Sequence, residues 1–175
     1  MCYNGVILFG WQLVLNPYEK FLGSRAAQEV ISETPAKLAA IFKQLGPAGA
    51  EKSPAPGKWN AREIFSHLAD CEITFAFRLR QTLAEDDHII QPFDQEKWAV
   101  TYAAYDAPSA LATFSSVRRW NLALIRNTPS EGQKKTVKHP ERGTMTFQTI
   151  VETMAGHDVN HLLQLDAIAG KVAST

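Results

Sequence analysis

The chain has 175 residues, with 18 Lys and Arg against 18 Asp and Glu, so its net charge is 0 with His neutral, and 45% of it is hydrophobic. That length fits one domain with a normal core, and the composition excludes wholesale disorder. A neutral chain has no global field to draw in DNA, RNA or an anionic bilayer, so neither nucleic acid nor membrane is an expected partner. Two cysteines, Cys2 and Cys71, cannot build a disulfide framework. A reducing, cytoplasmic setting is expected.

Residues 6–15 form an apolar run of ten broken by Gly10 and Gln12, with no Lys or Arg before Lys20. The run is too short to span a bilayer and lacks the basic start of a signal peptide. It is expected to be a hydrophobic N-terminal extension over residues 1–15, ahead of a single domain over residues 16–175. As an apolar segment needing cover, it is also a candidate contact for a homodimer. Residues 24–31 read as a short helix. Thr34 and Pro35 then supply an N-cap and first turn for a helix through Leu38, Ile41, Phe42 and Leu45, stopping at Gly46-Pro47. Residues 46–58, rich in Pro and Gly, read as loop.

Asn60 caps a long helix, with Glu63 as its capping-box partner. The apolar stripe Ile64, Leu68, Cys71, Phe75, Leu79, Leu83 has the 3.6-residue period. A helix over residues 94–105 carries Trp98 and Tyr102. Ser109 caps the next, whose stripe is Leu111, Phe114, Val117, Leu122 and Ile125. Between residues 131 and 146 the pattern changes to a small hairpin or a long excursion around Pro140 and Gly143. The last helix covers residues 146–169, with Gly170 at its stop. The expected fold is all-α, a four-helix bundle with short extra helices and that excursion before the last helix.

The inward stripe of the last helix is Ile150, Met154, His157, His161, Leu165, Ile168. Two of its positions are His where a bundle wants aliphatics. Residues at i and i+4 lie about 5–6 Å apart on one face, and two imidazoles there can aim at one ion. His67 interrupts the stripe of the helix after Asn60 in the same way. A lone His on an apolar face is ordinarily a satisfied core residue. The pair is different, because two buried imidazoles each need a partner and one cation serves both. His67, His157 and His161 are the candidate metal ligands. His88 and His139 fall beside turn signals and read as solvent or rim residues. Cys71 reads as a small core thiol, with a soft fourth ligand as the alternative. Asp158 reads as an exposed helical carboxylate or as an acceptor holding an imidazole, and Asp70 is open in the same way. Phe75, Phe77, Trp98, Tyr102 and Trp120 are either plain core or the lining of a pocket.

Several segments carry a resemblance. Trp59-Asn60-Ala61-Arg62-Glu63 and His67-Leu68-Ala69-Asp70, then Pro92-Phe93-Asp94 with Trp98, are two of them. His139-Pro140-Glu141-Arg142-Gly143 with Thr144 and Thr146, and the terminal His157-Asp158, His161-Leu162 and Gln164, are the others. Together they resemble the DinB-like (YfiT-like) metal-dependent hydrolases over residues 16–170. The resemblance implies a four-helix bundle whose ligands are one His on the second bundle helix and a His-x-x-x-His pair on the last. These map onto His67, His157 and His161. It also brings in thiol S-transferases using bacillithiol-type cofactors and a mycothiol-dependent maleylpyruvate isomerase, and it points to a dimer.

Three neutral imidazoles leave an ion's 2+ charge undiminished and its remaining positions open. The expected activity is that of a metal-dependent enzyme on a small molecule, either a hydrolase or a low-molecular-weight-thiol S-transferase. No side chain is assigned as the nucleophile, which would be a metal-activated water or thiolate. Zn, Ni, Mn and Fe all accept imidazole. A non-catalytic metal-binding, stress-associated interaction protein is the alternative.

Overall fold

A computed structural model describes residues 15–173, with side chains to residue 170. Residues 1–14, and with them most of the expected N-terminal extension, lie outside that range. Four long helices form the bundle: α2 (Ala27–Ala50), α3 (Ala61–Ala84), α5 (Ala107–Asn127) and α7 (Phe147–Ala173). Short helices α1 (Glu19–Leu22), α4 (Gln95–Ala99) and α6 (Ser130–Gln133) join them, with a 3₁₀ turn at Tyr102–Ala104. Strands β1 (Thr136–His139) and β2 (Gly143–Thr146) pair antiparallel in the expected hairpin. None of the described helices is long and apolar enough to cross a membrane.

The packing order differs from the chain order. α3 lies against α5 and α7, and α2 against the same two helices, while α2 and α3 barely touch. Consecutive helices α2 and α3 therefore face each other across the diagonal.

Asn60 caps α3 as the sequence predicts, its side chain accepting from Glu63 N–H while the Glu63 carboxylate accepts from Asn60 N–H. Elsewhere the caps move. Asp106, not Ser109, caps α5, its Oδ1 accepting from Ser109 N–H at 2.6 Å, and Pro108 occupies the first turn where no N–H is needed. The expected helix over 94–105 is two pieces, α4 capped by Asp94 and the 3₁₀ turn. Gly170 does not stop α7, because it lacks the positive φ of a C-terminal glycine. Gly46 does interrupt α2, at φ +65°, and Pro47 opens a further turn rather than loop.

The larger correction is at Thr34-Pro35, which starts no helix. α2 runs through it, and Thr34 Oγ1 donates to Val30 O. Proline has no N–H, so a proline at 35 leaves the Ile31 carbonyl without its helical partner. Arg118 of α5 fills the gap, donating from Nη1 to Ile31 O at 2.9 Å. The same guanidinium pairs with Asp158 of α7 at 2.5 Å and Glu72 of α3 at 2.7 Å. Glu72 also accepts from Asn121 Nδ2 at 2.7 Å. One buried arginine thus ties all four helices together. Asp158 is a buried partner in this network, not an exposed helical carboxylate.

These groups form a polar layer across the middle of the bundle. On one side lies an apolar cluster including Ile31, Leu79, Leu122 and Met154, and on the other a cluster including Leu38, Leu68, Phe114 and Leu165. Burial opposes the charge on Arg118, but Asp158 and Glu72 more than offset this and raise its pKa. Replacing Arg118 with Met strands two buried carboxylates. Urea unfolding is expected to show a loss of about 3–5 kcal/mol at neutral pH. An unchanged unfolding free energy would refute this role.

Candidate metal centre

The three predicted histidines meet in the polar layer. His67 comes from α3, one turn before Cys71, and His157 and His161 stand on successive turns of α7. His67 Nε2 and His157 Nε2 are 3.1 Å apart, as are His157 Nε2 and His161 Nε2. All three side chains are buried.

The neighbours of each ring decide where its proton sits. His161 Nδ1 lies 3.1 Å from Gln164 Oε1, an acceptor only, so Nδ1 carries the hydrogen and Nε2 is a bare lone pair. Tyr102 Oη lies 3.4 Å from His67 Nδ1. His67 Nε2 carries a hydrogen when Tyr102 donates to Nδ1 and is bare when Tyr102 accepts there. His157 Nε2 stands between His67 and the bare nitrogen of His161, and it can either donate one hydrogen or accept one. One of the two 3.1 Å contacts is therefore not a hydrogen bond.

Protonating the rings is not the remedy. Burial, then the His161 charge, pushes His67 down to about 3, and burial is the main reason His161 falls to about 4. His157 lies well below its ordinary value through burial, followed by His161, His67 and Arg118. The arrangement suits a cation. Two nitrogens 3.1 Å apart and each about 2.0–2.1 Å from one ion subtend roughly 100° there, between tetrahedral and octahedral angles.

Cys71 is part of the same cluster. Its Sγ lies 3.5 Å from His67 Nε2, and His67, Cys71 and His157 place three buried donor atoms within 4.8 Å of one another. Burial, reinforced by Asp70, pushes the thiol up, so a thiolate forms there only against a cost.

Two cavities adjoin the centre, and Tyr18 and Gln95 border both. The larger, about 580 Å³, reaches His161 past Trp59, Ile64 and Ile168. The smaller, about 190 Å³, reaches His67 and His157 past Phe75, Arg78, His139 and Arg142. His139 is buried here, and the period of two in β1 explains why: it shares the inward face with Val137. His88 stays half-buried in its turn and takes no part in the centre. Of the five aromatics in question, Tyr102 orients His67 and Phe75 lines the smaller cavity. Trp98 packs at a tilt of 42° against Phe93 with centroids 4.7 Å apart, and Phe77 and Trp120 are exposed and outside the core.

Tyr18 is a wall that the sequence reading did not include. Its ring meets His157 edge-on at 5.1 Å. Gly156 makes this approach possible, since a Cβ there would stand 2.4 Å from Tyr18 O and 2.7 Å from Tyr18 Cβ.

A buried three-imidazole cluster between facing helices of a bundle, open to two cavities, defines a class: helical-bundle proteins with a metal-type centre. The comparisons fix the family. The DinB superfamily profile matches residues 31–165, and the chain belongs to that superfamily. It is 26% identical over 140 residues to a "putative metal-dependent hydrolase" of Oceanobacillus iheyensis, covering 79% of this chain and 81% of the relative. It is 23% identical over 148 residues to YfiT of Bacillus subtilis, covering 82% and 83%, and YfiT carries the same description. The solved YfiT structure, described as "a probable metal-dependent hydrolase with an unusual four-helix bundle topology", superposes with a TM-score of 0.77 at 21% identity over 89% of this chain and 87% of that one.

Two outcomes follow for the centre. The unfolded chain takes up protons on its histidines near pH 6.5, whereas folded His67 and His161 resist them down to about 3 and about 4. Each group's contribution is therefore full above pH 6.5 and is lost as pH falls toward its folded value, at about 1.4 kcal/mol per unit. Chelator-treated protein should lose stability across that window, and His161→Gln should flatten the profile. A profile identical in the variant would contradict the assignment. Gly156→Ala should displace Tyr18 from His157, seen as increased Tyr18 accessibility by iodination together with a lowered Tm. An unmoved Tyr18 signal would show that the glycine is not what admits the tyrosine.

Proposed function

We propose that the protein is a metal-dependent enzyme acting on a small molecule, either hydrolysing it or transferring a low-molecular-weight thiol to it. The observation that carries this reading is the pair of 3.1 Å Nε2 contacts, which cannot both be hydrogen bonds once Gln164 has fixed the His161 tautomer. His67, His157 and His161 would hold the ion, with Cys71 beside them. A divalent ion of the Zn, Ni, Mn or Fe type supplies Lewis acidity and a positive charge that favours the deprotonated form of a water or a thiol. The names of the relatives support the hydrolase side of the reading.

The chain's own groups do the rest. Gln164 and Tyr102 hold the outer rings by their Nδ1 edges, which keeps each Nε2 turned inward. Trp59 packs against His67 with centroids 5.1 Å apart, and Tyr18 and Phe75 flank His157 at 5.1 and 6.2 Å. These rings wall the centre from bulk water and leave the two cavities as the approaches for a substrate.

Metal analysis of the purified protein decides the ligands. The wild type should carry about one equivalent, His157→Ala and His161→Ala at least tenfold less, and Cys71→Ser an unchanged amount. Loss in Cys71→Ser with retention in His161→Ala would shift the assignment to the His67, Cys71 and His157 set. Equal, substoichiometric metal in all four would remove the metal reading. A panel of esters, amides and epoxides, with and without added thiols, then tests turnover. No metal-dependent turnover across that panel would leave a metal-binding protein without catalysis.

A further inference from the structure

The smaller cavity has a charge pattern that a metal centre by itself does not explain. Arg78 and Arg142 both line it, with His139 at the end of β1 just before the turn that carries Arg142. Among the described residues, neither arginine has a carboxylate within 4.0 Å, although Glu141 also borders the cavity. Arg78 spends one Nη2 hydrogen on Gln91 O at 3.1 Å and lays its guanidinium 6.0 Å from the Phe93 ring. Among the described residues no other hydrogen-bond acceptor engages its side chain. His139 accepts from Glu141 N–H at Nδ1, 3.2 Å away, which makes Nε2 the N–H edge of a neutral ring. The charges are close enough to act on one another. Burial and then Arg142 hold Arg78 below its ordinary pKa, and burial followed by Arg142 and Arg78 does the same to His139.

Two like charges without a carboxylate partner, set at a partly buried cavity, repel each other unless an anion lies between them. Guanidinium forks match the planar or tetrahedral oxygens of an oxyanion, and an imidazole N–H adds a further donor. The cavity is about 190 Å³, below the roughly 300 Å³ at which small-molecule sites begin. It has room for a head group, not a whole substrate. The rest of such a molecule would pass the histidines into the adjoining cavity of about 580 Å³, along Trp59, Ile64 and Ile168.

We propose that Arg78, Arg142 and His139 form an oxyanion subsite that holds the acidic head of a small organic substrate beside His157, with its less polar part reaching past His161 toward Trp59. The inference rests on the reading of the centre as catalytic only for the word substrate. The subsite itself is a property of the two arginines and needs no metal.

Binding of three matched probes separates these parts: 3-phenylpropanoate, 3-phenylpropyl phosphate and the neutral 3-phenylpropanamide. Each is titrated by calorimetry or ligand-observed NMR into chelator-treated protein, so that direct coordination by an ion contributes nothing, and again after Zn loading. Both anions, or the one whose geometry the arginines prefer, should bind the metal-free protein at least tenfold more tightly than the amide. Arg142→Gln and Arg78→Gln should each weaken the anions by about tenfold or more while leaving the amide unchanged. Arg142→Lys should retain part of the affinity, and added salt should weaken the anions alone. Arg142 is half-buried in a hairpin turn whose Pro140 and Glu141 are exposed, so its variants keep the test available if Arg78→Gln misfolds by circular dichroism. Equal affinity for the amide, no detectable anion binding at millimolar concentration, or anion binding indifferent to Arg142 would overturn the proposal. If the arginine dependence holds but the histidine variants keep their metal content, the metal reading fails and the subsite stands. The converse result removes the subsite and leaves the metal centre.

Discussion

Arg118 is the constraint on which the bundle depends. It sits on α5 and reaches the other three long helices at once, through the Ile31 carbonyl, the Glu72 carboxylate and the Asp158 carboxylate. A charge in an apolar interior is tolerated only when it is paired and hydrogen-bonded, and every helix here supplies part of that pairing. Pro35 belongs to the same device, because it removes the N–H that would otherwise occupy the Ile31 carbonyl. The ion pairs also fix which residues stand at one level of the bundle. Sliding a helix by one turn would move its polar member about 5.4 Å into one of the two apolar clusters.

The histidine centre is built on that level. Asp158 follows His157 directly on α7, and Glu72 stands next to Cys71 and five residues after His67 on α3. A helix turns about 100° per residue. The carboxylates and the imidazoles therefore occupy adjoining faces, and the pairs that hold α3 and α7 to Arg118 also set the facing of His67 and His157. Positioning of this kind comes from the scaffold instead of from loops, which favours a fixed ligand geometry.

The bundle class, the capping box at Asn60, the hairpin and the convergence of His67, His157 and His161 were legible in the sequence, because all of them rest on periodicity or on short-range capping. Arg118 was not read, yet a signal existed. Phe114, Arg118 and Leu122 are spaced by four, so the buried stripe of α5 passes through the arginine while Val117 sits at its half-buried edge. The same holds for Asp158, four residues from Met154 and from Leu162. A charged residue on an apolar stripe is read as surface unless a partner is known, and the partners here lie 40 and 46 positions away. His139 reads as a rim residue because the turn signals Pro140 and Gly143 stand beside it, whereas the two-residue alternation of β1 buries it. Thr34-Pro35 imitated a helix start because the acceptor that Pro35 frees is satisfied from another helix, which local sequence cannot show.

Gly156 has a consequence beyond the packing of one tyrosine. The absence of a side chain at that position lets the segment ahead of α2 press its backbone against α7, so that Tyr18 becomes a shared wall of both cavities. Asn16 braces this entry, its Oδ1 accepting from Tyr18 N–H at 2.9 Å. The shape of the two cavities is thus written partly in residues that belong to none of the four long helices. Such a division separates two kinds of change. Substitutions in the entry segment can reshape the cavities while the bundle keeps its stability, whereas a change at Gly156 alters both together.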